Sequence, residues 1–211
     1  MVKVGFICEG KTERNIIESV AFQNWLLAHS LKCVTPVFDA KGSSNLLPNR
    51  IEPLREELLK QGADVIVVLT DLDANQCITS TRQRIGEHPR QRIVVAVQQI
   101  EAWFLSDTVT LQTLLGEPTF LFAQPELEIN PYETLKELFV TKTGRGVGSK
   151  NILVSRMLSY GFTVERVAGH PNCPSARYFL TQLQTLASAN ERTSQGSKAP
   201  ADRSPRTNRN D

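Results

Sequence analysis

The chain has 211 residues and a mass of 23.5 kDa, the size of one α/β domain or of one domain with a small appendage. Hydrophobic residues make up 40% and charged residues 22%, which supports a globular core and excludes fibrous and wholly disordered classes. The net charge is +2. Because residues 188–211 carry five Lys and Arg against three Asp and Glu, the rest of the chain holds 19 of each sign. Bulk charge therefore does not by itself indicate a nucleic-acid partner.

The sequence also bears on the expected compartment. No apolar run is long enough for a membrane span, and the N-terminus lacks the apolar stretch of a signal peptide. The cysteines show no Cys-x-x-Cys spacing, so they indicate neither a zinc site nor a redox pair. We therefore expect a reducing cytoplasm and no membrane partner.

Apolar runs and helical periodicity alternate along the first half of the chain. Strands are predicted at residues 2–8, 33–38, 64–69 and 92–97, and helices begin after Thr12, near Leu46 and near Ser80. The run at 64–69 is continuously apolar, as is typical of a central parallel strand covered on both faces. This alternation predicts an α/β fold: a four-stranded, mostly parallel sheet with helices on both faces.

Beyond Asp107 the pattern becomes helical. Pro131, Ser149 and Pro174 are residue types that begin helices. We therefore expect an α/β domain at residues 1–107 with a helical C-terminal extension packed on it at residues 108–187. Residues 188–211 are polar and hold no bulky apolar side chain, which predicts a disordered tail.

Four carboxylates follow predicted strands at their carboxyl ends. Glu9 follows the first strand, Asp71 and Asp73 follow the third, and Glu101 lies just past the fourth. Ligands of doubly wound sheets bind outside these strand ends, so we expect the acids to converge. Their mutual repulsion would be relieved by a divalent cation such as Mg²⁺. The alternative is that the negative charge of Glu9 interacts with the positive end of the following helix dipole, and that the aspartates cap the next helix.

Two groups of residues carry a resemblance to a known family. Glu-Gly-Lys-Thr-Glu at residues 9–13, together with Asp-Leu-Asp at 71–73, resembles the Toprim domain shared by topoisomerases, primases and OLD-family nucleases. Glu-Ala-Trp-Phe-Leu-Ser-Asp at 101–107, with Pro174-Ser175 before an aromatic helix, more narrowly resembles a Toprim-like group of bacterial proteins, domain-of-unknown-function family 4276. The sequence shows no tyrosine-bearing cleavage domain or zinc-binding segment, so neither topoisomerase nor primase activity is implied.

The resemblance implies an enzyme, a Mg²⁺- or Mn²⁺-dependent nuclease or related phosphoryl-transfer enzyme acting on DNA or RNA. By this resemblance, Glu9 is an acid/base or metal ligand and Asp71 and Asp73 hold the metal. Glu101 would complete a second metal site. Related Toprim nucleases further imply a bacterial cytoplasmic setting and a partner ATPase. The alternative is a catalytically inactive module of the same fold that binds nucleic acid or protein.

Several basic residues are candidates for phosphate contacts. Lys11 and Lys150 would stabilise charge during catalysis, and Arg145 and Lys150 would grip nucleic-acid phosphates from a glycine-rich segment. The alternatives are a solvated lysine at a helix start and a solvated loop that ends at a helix cap. Arginines also cluster further upstream, where they would line a nucleic-acid path or form a solvated helix face. These are Arg82, Arg84, Arg90 and Arg92.

Residues 5–12 offer a second alternative, because Gly-Phe-Ile-Cys-Glu-Gly-Lys-Thr matches the P-loop pattern of nucleotide hydrolases. Three features disfavour a P-loop NTPase. Only four residues precede Gly5, residues 6–8 belong to a strand, and Glu9 would face a negatively charged triphosphate.

Overall fold

The computed structural model of the protein describes residues 1–72 and 77–196. Within them, five strands form one sheet in which every pairing is parallel. The strands are β1 (Val2–Cys8), β2 (Leu31–Cys33), β3 (Phe38–Asp39), β4 (Val65–Asp71) and β5 (Gln91–Ala96). Their order is β2-β1-β4-β5, and the short β3 pairs with the carboxyl end of β1. The predicted α/β class with a parallel sheet is confirmed.

Helices flank this sheet. They are α1 (Lys11–Glu18), α2 (Val20–Ala28), α3 (Pro48–Lys60), α4 (Ile78–Ile85), α5 (Glu101–Ser106), α6 (Thr108–Leu115), α7 (Pro131–Thr143), α8 (Lys150–Ser159), α9 (Val164–Gly169) and α10 (Pro174–Gly196). Short 3₁₀ turns lie at Ser43–Leu46 and Pro125–Leu127. Within the described ranges, no helix has the length and apolar character to cross a membrane.

The two faces of the sheet bury different cores. Successive strand side chains point to opposite faces, so Val67 and Leu69 enter a large aromatic core while Ile66 and Val68 enter a smaller aliphatic one. The smaller core lies under α3. There, a Cβ added to Gly5 would lie 2.9 Å from Leu58 Cδ1. Gly5 therefore allows the close approach of α3 to β1.

The second strand differs from its prediction. The single strand expected at residues 33–38 is wrong, because two short strands, β2 and β3, flank a gap in the ladder. Pro36 lies in that gap, and a proline has no amide N–H to donate to a neighbouring strand. Because β3 pairs beside Cys8, it places Asp39 near the carboxyl end of β1.

The first helix also differs. Thr12 is not its cap, because α1 begins at Lys11 with Gly10 in the cap position. The expected continuous helix is divided at Ser19. Its hydroxyl accepts the N–H of Phe22 at 3.3 Å and so caps α2.

The predicted helix starts in the second half are confirmed. Pro131 and Pro174 are the first residues of α7 and α10, and Ser149 caps α8. Helix α10 packs against β5, and its Ser175 hydroxyl accepts the indole N–H of Trp103 at 2.8 Å. The helix continues to Gly196, into the segment predicted as a disordered tail from residue 188, and the remainder, 197–211, lies outside the described residues.

Candidate functional site

A cleft of about 400 Å³ opens at the carboxyl edge of the sheet. It is bordered by the ends of β1, β3 and β4 and by the first residues of α1, α5 and α8. The predicted residues that line it are Glu9, Lys11, Asp71, Glu101 and Lys150. The fourth predicted metal ligand, Asp73, lies outside the described residues.

Glu9 and Asp71 lie side by side. Parallel pairing of β1 with β4 sets Cys8 opposite Leu69, so Glu9, one residue further along, and Asp71, two residues further along, lie at the same edge of the sheet. Glu9 Oε2 accepts the hydroxyl of Thr70 at 2.5 Å and the N–H of Asp71 at 3.2 Å. Asp71 Oδ1 accepts the N–H of Ile100 at 2.8 Å. The strand topology therefore fixes two acids that are 62 positions apart in the sequence.

Glu101 is the most deeply buried acid of the cleft. It begins α5 and is only 1% exposed. Its Oε1 lies 3.1 Å from Lys150 Nζ, whereas its Oε2 has no hydrogen-bond partner among the residues that the structure describes. A buried polar atom without a partner is rare in folded proteins and calls for an explanation such as an ion or water. Glu101 Oε2 is thus an oxygen available to a further ligand.

Lys150 is the basic counterpart of these acids. Helix α8 packs against α1, and this contact brings its first residue over the cleft. Partial burial acts to lower the pKa of Lys150, but the charges of Glu101, Asp71 and Glu13 outweigh it and raise the pKa above its ordinary value. The ammonium also lies 5.2 Å from the ring of Tyr132. Lys150 therefore remains protonated at neutral pH.

Glu13 is a cleft residue that the sequence interpretation did not single out. It is 3% exposed. Burial raises its pKa to about 7, the negative charges of Glu101 and Glu9 add to this rise, and a backbone hydrogen bond opposes it. The available signal was spacing: Glu13 precedes the buried Ile16 and Ile17 by three and four residues, so it shares their inward helical face.

The basic residues are not all brought together. Lys11 is exposed and lines the cleft. Arg145 is exposed but does not line the cleft, and its backbone N–H donates to the hydroxyl of Thr143 at 3.2 Å. The structure therefore brings Lys11 and Lys150, but not Arg145, to the cleft.

The P-loop match does not form a phosphate cradle. Gly5 to Cys8 are extended, buried and paired with β4 along their length. Only Glu9 and Gly10 connect β1 to α1. A P-loop wraps phosphate with the backbone N–H groups of a longer glycine-rich loop, and here those groups are committed to the sheet.

The donor chemistry suits Mg²⁺ or Mn²⁺, both of which prefer carboxylate oxygens. Glu9, Asp71 and Glu101 supply such oxygens, and Glu101 Oε2 is unpartnered among the described residues. Within residues 1–72 and 77–196, however, no group of three or more His, Cys, Asp or Glu side chains is arranged to hold a metal ion. In this part of the chain, the ammonium of Lys150 supplies the positive charge beside Glu101.

Comparisons with protein-family models, with curated proteins and with solved structures find no match. The residues and geometry of the cleft are therefore the basis for assigning a function.

Proposed function

We propose that the protein is a Toprim-like, Mg²⁺- or Mn²⁺-dependent nuclease, or a related phosphoryl-transfer enzyme acting on nucleic acid. The supporting observation is that Glu9, Asp71 and Glu101 border one cleft, each directly after or close to the end of a parallel strand. Carboxylates gathered in this way repel one another unless a cation compensates them. The carboxyl edge of a parallel sheet is also the usual place for ligands in such folds.

The carboxylates have distinct roles in this proposal. Glu9, Asp71 and Glu101, with Asp73, would hold the metal, which when bound polarises a phosphoryl oxygen and lowers the pKa of water. Hydrogen bonds from Thr70 and from the Asp71 backbone orient Glu9. This support matters because small displacements of a reacting group reduce the rate strongly.

The remaining charged residues act on protons and on the phosphate. With a pKa of about 7, Glu13 exchanges a proton near neutral pH, as a general acid or base requires. Lys150 and Lys11 place positive charge in the same cleft, where it would stabilise negative charge developing on a phosphate.

Cleavage assays with matched variants test the proposal. Purified protein is incubated with single- and double-stranded DNA and RNA in Mg²⁺, Mn²⁺ or EDTA. We expect metal-dependent cleavage that falls roughly 100-fold or more in Glu9→Gln and Asp71→Asn.

The control is Asp64→Asn, the same substitution at an exposed residue that directly precedes the first residue of β4. It should cleave like the wild type. Cleavage that is unchanged in Asp71→Asn, or equally reduced in both aspartate variants, would contradict the proposal.

The ion pair between Lys150 and Glu101 favours a second candidate, a binding module without turnover. An internal ammonium already compensates the most buried acid, so this cleft can persist without a metal. Binding of nucleic acid with no cleavage in either metal would support the module over the nuclease.

A further inference from the structure

A second cavity, of about 620 Å³, lies beside the edge strand β5. Its walls come from α4, from the segment that joins α4 to β5, from the first half of β5 and from α10. None of its lining residues borders the acidic cleft. It is therefore a separate site in the same chain.

The cavity carries more positive than negative charge among its described lining residues. Arg82 and Arg92 line it, and neither forms an ion pair within the described ranges. The Nε of Arg82 is buried and has no hydrogen-bond partner among the described residues. A guanidinium in that situation gains when an external acceptor reaches it. Glu87 is the one acid among the described lining residues, and it is exposed.

An aromatic ring completes the wall. The Arg82 guanidinium lies 5.0 Å from the ring centre of Tyr178, which holds it against α10. Tyr178 is 37% exposed, so part of the ring is open to a ligand. Gln91 contributes rigidity, because its Oε1 accepts from the Arg55 guanidinium and its amide nitrogen donates to the Gly86 carbonyl.

We propose that this cavity binds single-stranded nucleic acid, with Arg82 and Arg92 contacting phosphates and Tyr178 contacting a base. Guanidinium groups bind phosphate oxygens through paired N–H groups, and a basic groove with an aromatic ring is the pattern by which proteins hold single strands. The volume is in the range of small-molecule sites, which accommodates one or two nucleotides. This inference extends the proposed function by naming a substrate class, yet binding requires no metal.

Fluorescence anisotropy in EDTA measures this binding without cleavage. The probe is a labelled single-stranded DNA of 12 nucleotides. We expect Arg82→Gln/Arg92→Gln to weaken binding at least about tenfold and Tyr178→Leu to weaken it several-fold.

The matched control is Arg50→Gln/Lys60→Gln, which removes the same charge from two exposed basic residues that line neither cavity. It should stay within about twofold of the wild type. An equal loss in both double variants would show a bulk charge effect and overturn the proposal. Circular dichroism establishes that each variant is folded.

Competition separates the sources of phosphate. An unlabelled single strand should displace the probe at far lower concentration than a duplex of the same sequence or a nucleoside monophosphate. Displacement by either competitor at the same nucleotide concentration would overturn the assignment. The two proposals fail separately. Normal binding of the probe by the wild-type protein, with no cleavage in Mg²⁺ or Mn²⁺, would refute the nuclease and leave this binding site standing. Metal-dependent cleavage together with normal binding in Arg82→Gln/Arg92→Gln would refute this binding site and leave the nuclease standing.

Discussion

Two regions of the molecule are lined by charged side chains but hold their charges in different ways. They are the acidic cleft, lined by Glu9, Asp71 and Glu101, and the arginine cavity, lined by Arg82 and Arg92. In the cleft, Glu9 accepts two hydrogen bonds and Glu101 pairs with Lys150 at 3.1 Å. In the cavity, Arg82 and Arg92 have no ion pair within the described residues. The cleft charges are thus coupled to folding, whereas the proposal assigns the cavity charges to an external partner.

The two regions also arise differently from the sequence. The cleft gathers residues from strand ends that are far apart along the chain, so it exists only once the sheet has formed. All described lining residues of the cavity except Tyr178 come from the short stretch 79–93. Substitutions in the cleft should therefore change stability and its pH dependence, and those in the cavity should mainly change binding.

Glu13→Gln should give the largest effect on stability. The folded pKa of about 7 exceeds the ordinary value of 4.5, so between these pH values the folded protein binds more protons than the unfolded chain. The free energy of unfolding therefore falls as pH rises through that window. Glutamine has no such titration, and at pH 8 the variant should be more stable than the wild type by roughly 2–3 kcal/mol.

Urea unfolding at pH 4, 6 and 8 measures this effect. Glu56→Gln, at an exposed position of α3, is the control and should follow the wild-type pH profile. If Glu13→Gln shows the same pH dependence as the wild type, the Glu13 carboxyl is not the buried acid that the structure describes.

Lys150→Met comes next. It removes the positive charge beside a carboxylate that is 1% exposed, which should lower the free energy of unfolding by roughly 2 kcal/mol. This is less than for a fully buried pair, because the lysine side chain is 44% exposed. Adding Glu101→Gln should recover most of the loss, as measured by urea unfolding.

Lys142 offers the matched comparison for this experiment. It pairs with Glu117 at 2.8 Å, and both side chains are more than a third exposed. Lys142→Met should therefore cost less than about 0.5 kcal/mol. If both lysine variants lose the same free energy of unfolding, the cleft does not depend on its charges more than an ordinary surface does.

Arg82→Met should have the smallest effect, a change in the free energy of unfolding below about 1 kcal/mol. The lost contact with Tyr178 is worth about that amount, and removing a buried unbonded Nε offsets it. In contrast, Arg166→Met breaks two bonds to the fully buried Asp107 and should cost about 2 kcal/mol or more. If thermal unfolding shows that Arg82→Met loses as much stability as Arg166→Met, the main role of Arg82 is to stabilise the fold.

Much of the cleft follows from the sequence because strand ends are readable. A continuous apolar run ends at Leu69, and an acid one or two residues after such a run lies at the carboxyl edge of the sheet. Glu9 and Asp71 could be assigned in this way without any knowledge of packing. The same reasoning gave the α/β class.

Other features depend on packing that a local pattern does not reveal. The burial of Glu13 requires α8 to cover α1, and an acid in a first helical turn is otherwise explained by the helix dipole alone. The division of the first helix at Ser19 was readable in principle, because serine is a strong N-cap, but the apolar periodicity runs through it. The arginine cavity could not be predicted either, because it depends on how α10 packs and so places Tyr178 in its wall.

The position of Trp103 has a practical consequence. Its indole is wholly buried in α5, two residues past Glu101, and is tied to Ser175. The chain contains one other tryptophan, Trp25, so Trp25→Phe leaves a single tryptophan, two residues along the chain from Glu101. Any cation or anion that settles near Glu101 alters the electric field across that indole. Its emission therefore provides an unlabelled optical readout of occupancy in the intact protein.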